Sequence, residues 1–155
     1  MSADRPAIVL VAPEIPGNTG TIGRTCVALD IDLCLVRPYG FDLSDKSVRR
    51  AGLDYWRHVR LFEFDDWDDF LTRRAPRADA LFLFEEYATR SFYEPDYPKD
   101  AHLVFGRETT GLPAHVLSGR EDRMVRLPMR SAHIRSLNLA NAATAAVYQA
   151  LRGVL

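Results

Sequence analysis

The stretch Arg126-Leu127-Pro128-Met129, followed by Arg135-Ser136-Leu137-Asn138-Leu139-Ala140-Asn141 and an Ala-rich run to Leu151, decides the reading of this chain. An apolar strand ends at a proline, crosses a short polar loop and enters a helix that opens on a serine and two asparagines. Such a junction presents backbone N–H groups and small polar side chains to a ligand. Ser136 and Asn138 both stand where the helix should begin, and only one of them can be its cap. Two similar junctions lie upstream, at Pro16-Gly17-Asn18-Thr19-Gly20 and at Gly106-Arg107-Glu108-Thr109-Thr110-Gly111. Three polar, glycine-bearing turns after three apolar strands point to one composite site.

Around these junctions the apolar runs are short. Ala7–Ala12, Asp32–Val36, Arg60–Phe64, Ala80–Phe84, His102–Phe105 and Arg123–Leu127 read as strands. Between them, Thr19–Leu29, Asp65–Arg74 and Leu137–Leu151 carry apolar residues at helical spacing, and Leu112-Pro113 is placed to open a further helix. Alternating strands and helices predict an α/β fold, a mostly parallel sheet with helices on both faces, in a single domain over residues 1–155. The segment 85–100 (EEYATRSFYEPDYPKD) is polar, aromatic and Pro-bearing and reads as a long functional loop.

A chain of 155 residues buries roughly 70% of its unfolded surface, enough for a real core. The formal charge of −1 excludes a globally cationic nucleic-acid binder but allows a local basic patch. Lys46, Arg49, Arg50, Arg57 and Arg60 supply one, whereas Glu63 to Asp69 is acidic. Cys26 and Cys34 stand in apolar contexts without ligand spacing and read as buried free thiols. No apolar run is long enough to span a bilayer and residues 1–7 lack a signal core, so a cytoplasmic protein is expected.

Each junction can carry chemistry. In the first, Asn18 or Thr19 can cap the helix, and Arg24 follows about one and a half turns past Asn18. There is no phosphate-loop ending and no dinucleotide glycine spacing. In the second, Gly106 directly follows a strand, where backbone often approaches a ligand, and Glu108 is a carboxylate between glycines. The histidines at 58, 102, 115 and 133 pair with no cysteine or carboxylate at ligand spacing, so no metal is expected. Ser136 is not in a nucleophile-elbow context. Tyr55-Trp56, beside Arg57, reads either as a base-stacking pair or as the edge of the core.

In this order the junctions resemble the SPOUT superfamily of RNA methyltransferases, and within it the small group that 2′-O-methylates the wobble nucleotide of tRNA. Pro13-Glu14-Ile15-Pro16-Gly17-Asn18-Thr19-Gly20-Thr21-Ile22-Gly23-Arg24-Thr25-Cys26 is similar to that group's PEIPxNTGNIxRxC motif. The block Lys46 to Trp56 is similar to its KxxRRAGLDYW signature. Phe105 to Pro113 is similar to FGxETxGLP, and the C-terminal stretch to its IPM…RSxNLSN ending. Thr21 replaces a frequent asparagine and Ala140 the usual serine.

The resemblance implies a C-terminal trefoil knot, a homodimer built on the first and last helices, and S-adenosylmethionine as cofactor without a metal. It implies that Phe84, Gly106, Leu127 and Ser136 line the cofactor pocket, with Glu108, Met129 and Asn138 beside it. Arg24, Asn18, Ser136 and Asn138 become the candidate catalytic set. A guanidinium is not deprotonated in proteins, so Arg24 is expected to bind phosphate and stabilise a developing alkoxide rather than act as base. Arg49, Arg50, Arg57 and Arg60 are expected to contact the anticodon stem-loop of tRNA. Other readings are another tRNA or rRNA target for the same reaction, or a catalytically silent cofactor- or RNA-binding module.

Overall fold

Six short strands form one sheet in the computed structural model, which describes residues 2–44, 46–51 (backbone alone at 47, 49 and 51) and 55–155. They are β1 (Ala7–Val11), β2 (Asp32–Val36), β3 (Arg60–Phe64), β4 (Leu81–Phe84), β5 (His102–Phe105) and β6 (Met124–Val125), in spatial order β3-β2-β1-β5-β4-β6. Every pairing is parallel, and Ala7 lies in register with both Asp32 and His102. Parallel neighbours need crossovers. These are built around α1 (Pro16–Leu29), α2 (Lys46–Ala51), α3 (Trp67–Arg73) and α4 (Ala114–Leu117), and α5 (Leu139–Ala150) closes the chain.

Side-chain alternation along the strands makes two apolar faces. Ile8, Leu10, Leu33, Leu35, Phe82, Leu103 and Phe105 share a buried cluster with Ile22 and Cys26 of α1 and with Ala143, Ala146 and Val147 of α5. Val9, Val11, Cys34, Val36, Leu83 and Val104 face the other way, against Trp67 and Phe70 of α3 and Val116 of α4. Small side chains on α5 bring it close to α1, where the hydroxyls of Thr25 and Thr144 lie 3.0 Å apart.

Several boundaries differ from the sequence reading. Helix α1 begins at Pro16, with Ile15 in the cap position and no side-chain cap of its own, so Asn18 and Thr19 lie inside its first turn. Pro16 fits the first helical position because its missing N–H has no partner to lose there. Helix α5 begins after Asn138, which is the cap in place of Ser136. Helix α2 was not foreseen, because Val48 is its only buried apolar residue among those described. The last strand shrinks to two residues. The segment 85–100 is packed rather than free: Phe92 is buried against Phe84, its N–H donates to Arg126 O, and the Arg126 N–H donates to Arg90 O.

The amino end of the sheet holds a buried polar network. Arg74 is 1% exposed and donates to Asp32 Oδ2 at 2.8 Å, to His102 Nε2 at 3.0 Å and to Arg5 O at 3.1 Å. His102 Nδ1 lies 2.6 Å from Asp100 O. A neutral ring protonated on Nδ1 satisfies both contacts, since Nδ1 then donates and Nε2 accepts. Burial pushes its pKa down to about 4. No helix among the described residues is long and apolar enough to cross a membrane.

Candidate active site

The chain winds outward from β1 to β3 and then places β5 on the other side of β1. Open α/β sheets take ligands at such a reversal, outside the carboxyl ends of the strands. A cavity of about 450 Å3 lies there, within the size range of small-molecule sites. Phe84 and Glu85 enter it from the end of β4, Phe105 and Gly106 from β5, Leu127 and Met129 from the segment after β6, and Ser136 and Asn138 from the approach to α5. Asn18 of α1 and Glu108 complete the wall. Among the described residues no group of three or more His, Cys, Asp or Glu side chains is placed to hold a metal ion.

Gly106 is required by the protein's own backbone. A Cβ there would stand 2.2 Å from the carbonyl carbon of Gly111 and 2.3 Å from the nitrogen of Leu112. The loop folds back on itself, since Arg107 and Gly111 exchange backbone hydrogen bonds of 3.0 and 2.9 Å. The glycine therefore permits loop closure, where the sequence reading expected close approach to a ligand. Gly111 has φ +73°, and a Cβ on it would lie 2.6 Å from Glu85 Oε1. Glu85 is 7% exposed; it accepts the Leu112 N–H, and burial, with Glu86 nearby, pushes its pKa up.

Two carboxylates tie the first and second junctions together. Glu108 accepts the N–H of Glu14 at 2.8 Å, the N–H of Ile15 at 2.9 Å and the Asn18 side-chain amide at 3.1 Å. In return Glu14 accepts the Thr109 N–H at 3.0 Å and its hydroxyl at 2.8 Å. Those two bonds hold the Glu14 carboxyl below the usual carboxylate range. The third junction joins through Asn138, whose amide donates to Asn18 Oδ1 at 3.2 Å while its own oxygen accepts the N–H groups of Ala140 and Asn141. Glu108, Asn18 and Asn138 thus form one relay from β5 to α5.

The structure brings together Asn18, Phe84, Gly106, Glu108, Leu127, Met129, Ser136 and Asn138 around the cavity. Arg24 is exposed on α1 and does not line it. Arg50 and Arg57 are also exposed and outside the cavity, and the side chain of Arg49 lies outside the described residues. Arg60 is committed elsewhere: it donates to Asp32 Oδ1 at 2.8 Å and Asp30 Oδ1 at 2.6 Å, and it begins β3 at the amino end of the sheet. Trp56 packs into the core edge beside Gly23, and Tyr55 lies beneath Arg24.

Sequence reasoning missed Glu14, Glu85 and Thr109, and the arginines at 107, 126 and 135 that also line the cavity. Glu85 had a signal like that of Gly106, since it directly follows an apolar strand. Glu14 and Thr109, 95 residues apart, stood inside the first two motifs, but nothing in the sequence pointed to their pairing.

Fold and site together define a parallel α/β protein with a cavity of small-molecule size at a topological switch point, walled by three interlocked loops. The chain belongs to the SpoU rRNA Methylase family, whose model matches residues 5–148. It is 42% identical over 146 residues to a tRNA (cytidine(34)-2'-O)-methyltransferase of Burkholderia ambifaria, with 94% of this chain and 93% of that protein covered. A solved structure described as giving insights into the 2-OH methylation of C/U34 on tRNA is 42% identical, with a TM-score of 0.88, covering 97% of this chain and 96% of its own. The SpoU methyltransferase AviRb from Streptomyces viridochromogenes, solved in complex with AdoMet, is 27% identical with a TM-score of 0.83, covering 97% of this chain and 60% of its own.

Proposed function

We propose that this protein methylates the ribose 2′-oxygen of the wobble nucleotide of tRNA, a cytidine or modified uridine, using S-adenosylmethionine. One observation carries the reading: Asn18, Phe84, Gly106, Glu108, Leu127, Met129, Ser136 and Asn138 converge on one cavity, in a chain 42% identical to a tRNA (cytidine(34)-2'-O)-methyltransferase. The residues suit the cofactor. Phe84, Phe105, Leu127 and Leu139 offer apolar surface to a nucleoside, and the buried Glu85 carboxyl lines the same cavity, where it would suit a cationic ligand. S-adenosylmethionine, when bound, supplies the methyl group on a sulfonium. Phe84, Gly106, Leu127 and Ser136 would line its site, with Glu108 and Met129 beside it.

The protein's own residues then orient the attacking hydroxyl and stabilise its charge. Ser136 and Asn138 stand at the cavity wall, where small polar groups can align a ribose hydroxyl, and alignment supplies much of the rate. Asn18 acts through Asn138 and Glu108, as the relay that keeps both in place. Arg24 binds the adjacent phosphate and stabilises developing alkoxide, since its guanidinium keeps its proton.

Arg24 lies six residues past Asn18, about 9 Å along the helix and roughly a third of a turn around it. A homodimer through α1 and α5 brings a second copy to this face and completes the site. The exposed Tyr148 of α5, with Ile15 and Leu137 at the cavity beside the starts of α1 and α5, supplies apolar area for such a contact. Arg50, Arg57 and, by the sequence pattern, Arg49 form the proposed phosphate-contacting surface for the anticodon stem-loop, joined by Arg107, Arg126 and Arg135 at the cavity. Arg60 is left out because its guanidinium holds Asp30 and Asp32. The chain forms a single domain whose C-terminal segment, residues 126–138, returns from the edge strand β6 to α5 against α1, and this is the segment that the proposed trefoil knot would thread.

The test incubates the protein with methyl-labelled S-adenosylmethionine and tRNA lacking wobble methylation, then maps the label by nuclease digestion and mass spectrometry. Label on the wobble 2′-oxygen supports reaction and target together. Label on another tRNA nucleotide, or on rRNA from a strain lacking this protein offered in a parallel reaction, discards the target, and cofactor binding with no label on either RNA discards the enzyme for a silent binding module.

A further inference from the structure

Arg24 is exposed, and an exposed arginine side chain ordinarily samples many rotamers. Here its guanidinium has a seat: the central carbon lies 4.4 Å from the centroid of the Tyr55 ring. Among the described residues it enters no ion pair and donates no side-chain hydrogen bond. An aromatic face engages the plane of a guanidinium by cation–π attraction and leaves its N–H edge free to donate.

The ring is itself held in place by its neighbour. A Cβ on Gly23 would stand 2.7 Å from Cζ3 of Trp56 and 3.3 Å from Cγ2 of Val59, so only a glycine lets this turn lie against α1. The turn is closed by His58 N–H to Tyr55 O at 2.8 Å and Val59 N–H to Trp56 O at 3.1 Å, and Trp56 packs on the cluster containing Ile22 and Cys26. Gly23 and Arg24 of the helix are thus keyed onto Trp56 and Tyr55 of the turn, one pair by close packing and the next by cation–π contact.

We infer that Tyr55 is a positioning residue that seats the Arg24 guanidinium, holding its donor edge ready for a phosphate or developing alkoxide of the RNA. The inference rests on the catalytic reading of Arg24 given above. It assigns Tyr55 a task other than base stacking, because one face of its ring is covered by the cation.

The experiment measures kcat, the KM for tRNA and the Kd for S-adenosylmethionine in the full-length protein and in Tyr55→Leu, Tyr55→Phe, Arg24→Ala and the Arg24→Ala/Tyr55→Leu double variant. Tyr55→Leu should lower kcat about tenfold with the cofactor Kd unchanged. Tyr55→Phe, which keeps the ring face, should restore most of that loss, and the double variant should be no worse than Arg24→Ala alone. The fluorescence of Trp56 and Trp67 together, and the cofactor Kd, report whether each variant is folded. Wild-type kcat in Tyr55→Leu beside an inactive Arg24→Ala overturns the seat and leaves the role of Arg24 standing. Equal losses in Tyr55→Phe and Tyr55→Leu overturn it in favour of the hydroxyl. Full activity in Arg24→Ala overturns the role of Arg24 and the seat with it.

Discussion

Glu14 and Glu108 each hold the other's loop. The Glu108 carboxylate accepts the backbone N–H of Glu14, and the Glu14 carboxylate accepts that of Thr109, the residue following Glu108. The two residues sit at the carboxyl ends of neighbouring strands, β1 and β5. A reciprocal exchange of this kind fixes two loops in both distance and angle, where a single bond would leave a hinge.

Glu108→Ala removes the acceptor of three donors at once. The expected cost is about 2 kcal/mol of stability, since hydrogen bonds to a charged acceptor are the stronger ones. Cofactor affinity should fall along with it, because Asn18 loses its anchor. Thermal melts with and without S-adenosylmethionine measure both effects, and a wild-type melting temperature would show the relay to be dispensable.

Gly106→Ala places a Cβ 2.2 Å from backbone, which no rotamer change can relieve. The loop must open and the wall formed by Arg107 to Gly111 must move. We expect cofactor binding to drop by at least tenfold in calorimetry while the far-UV circular dichroism spectrum stays close to wild type. Unchanged affinity would mean that the loop does not shape the site.

Asn138→Ala takes the cap from α5 and the partner from Asn18. Loss of such a cap costs about 1 kcal/mol. Turnover should fall further than this cost implies, because the wall residue proposed to orient the hydroxyl is lost too. Asn138→Asp keeps an acceptor for the Ala140 and Asn141 N–H groups but loses the donor to Asn18. It should therefore recover stability without recovering turnover.

His102 gives the fold a pH dependence. Its folded pKa is lowered to about 4 from 6.5, with burial as the largest cause and Arg74 adding to it, while Asp100 and Asp32 oppose the shift. In this window the unfolded chain binds the proton and the folded chain does not, so the contribution is present above pH 6.5 and is lost as pH falls toward 4. The loss is on the order of 3 kcal/mol. Denaturant titrations from pH 7 to pH 4 read it, and His102→Gln should flatten that slope.

The bounds of β2, β3 and β5 were legible because each is a short run rich in apolar residues whose neighbours change character abruptly. The start of α5 was legible only to within two residues, since Ser136 and Asn138 are both good caps and only the contact with Asn18 decides between them. Helix α2 left no periodic trace. Within the site, the wall residues could be named from motifs on separate strands, but their roles could not. Gly106 serves loop closure and Glu108 serves a backbone four strands' worth of sequence away. Arg60 read as an RNA-contacting member of a basic run, and a carboxylate from β2 in the sheet register claims it.

The buried Arg74–Asp32–His102 network lies at the amino end of a sheet whose carboxyl end holds the cavity. A five-residue strand separates the two by about 16 Å, beyond the range at which substitutions usually couple. Protein engineers can therefore treat the two ends as separate design problems. Replacing the charged cluster with apolar residues to harden the scaffold should leave turnover alone, and loops can be exchanged at the other end to retarget the enzyme without refitting its foundation.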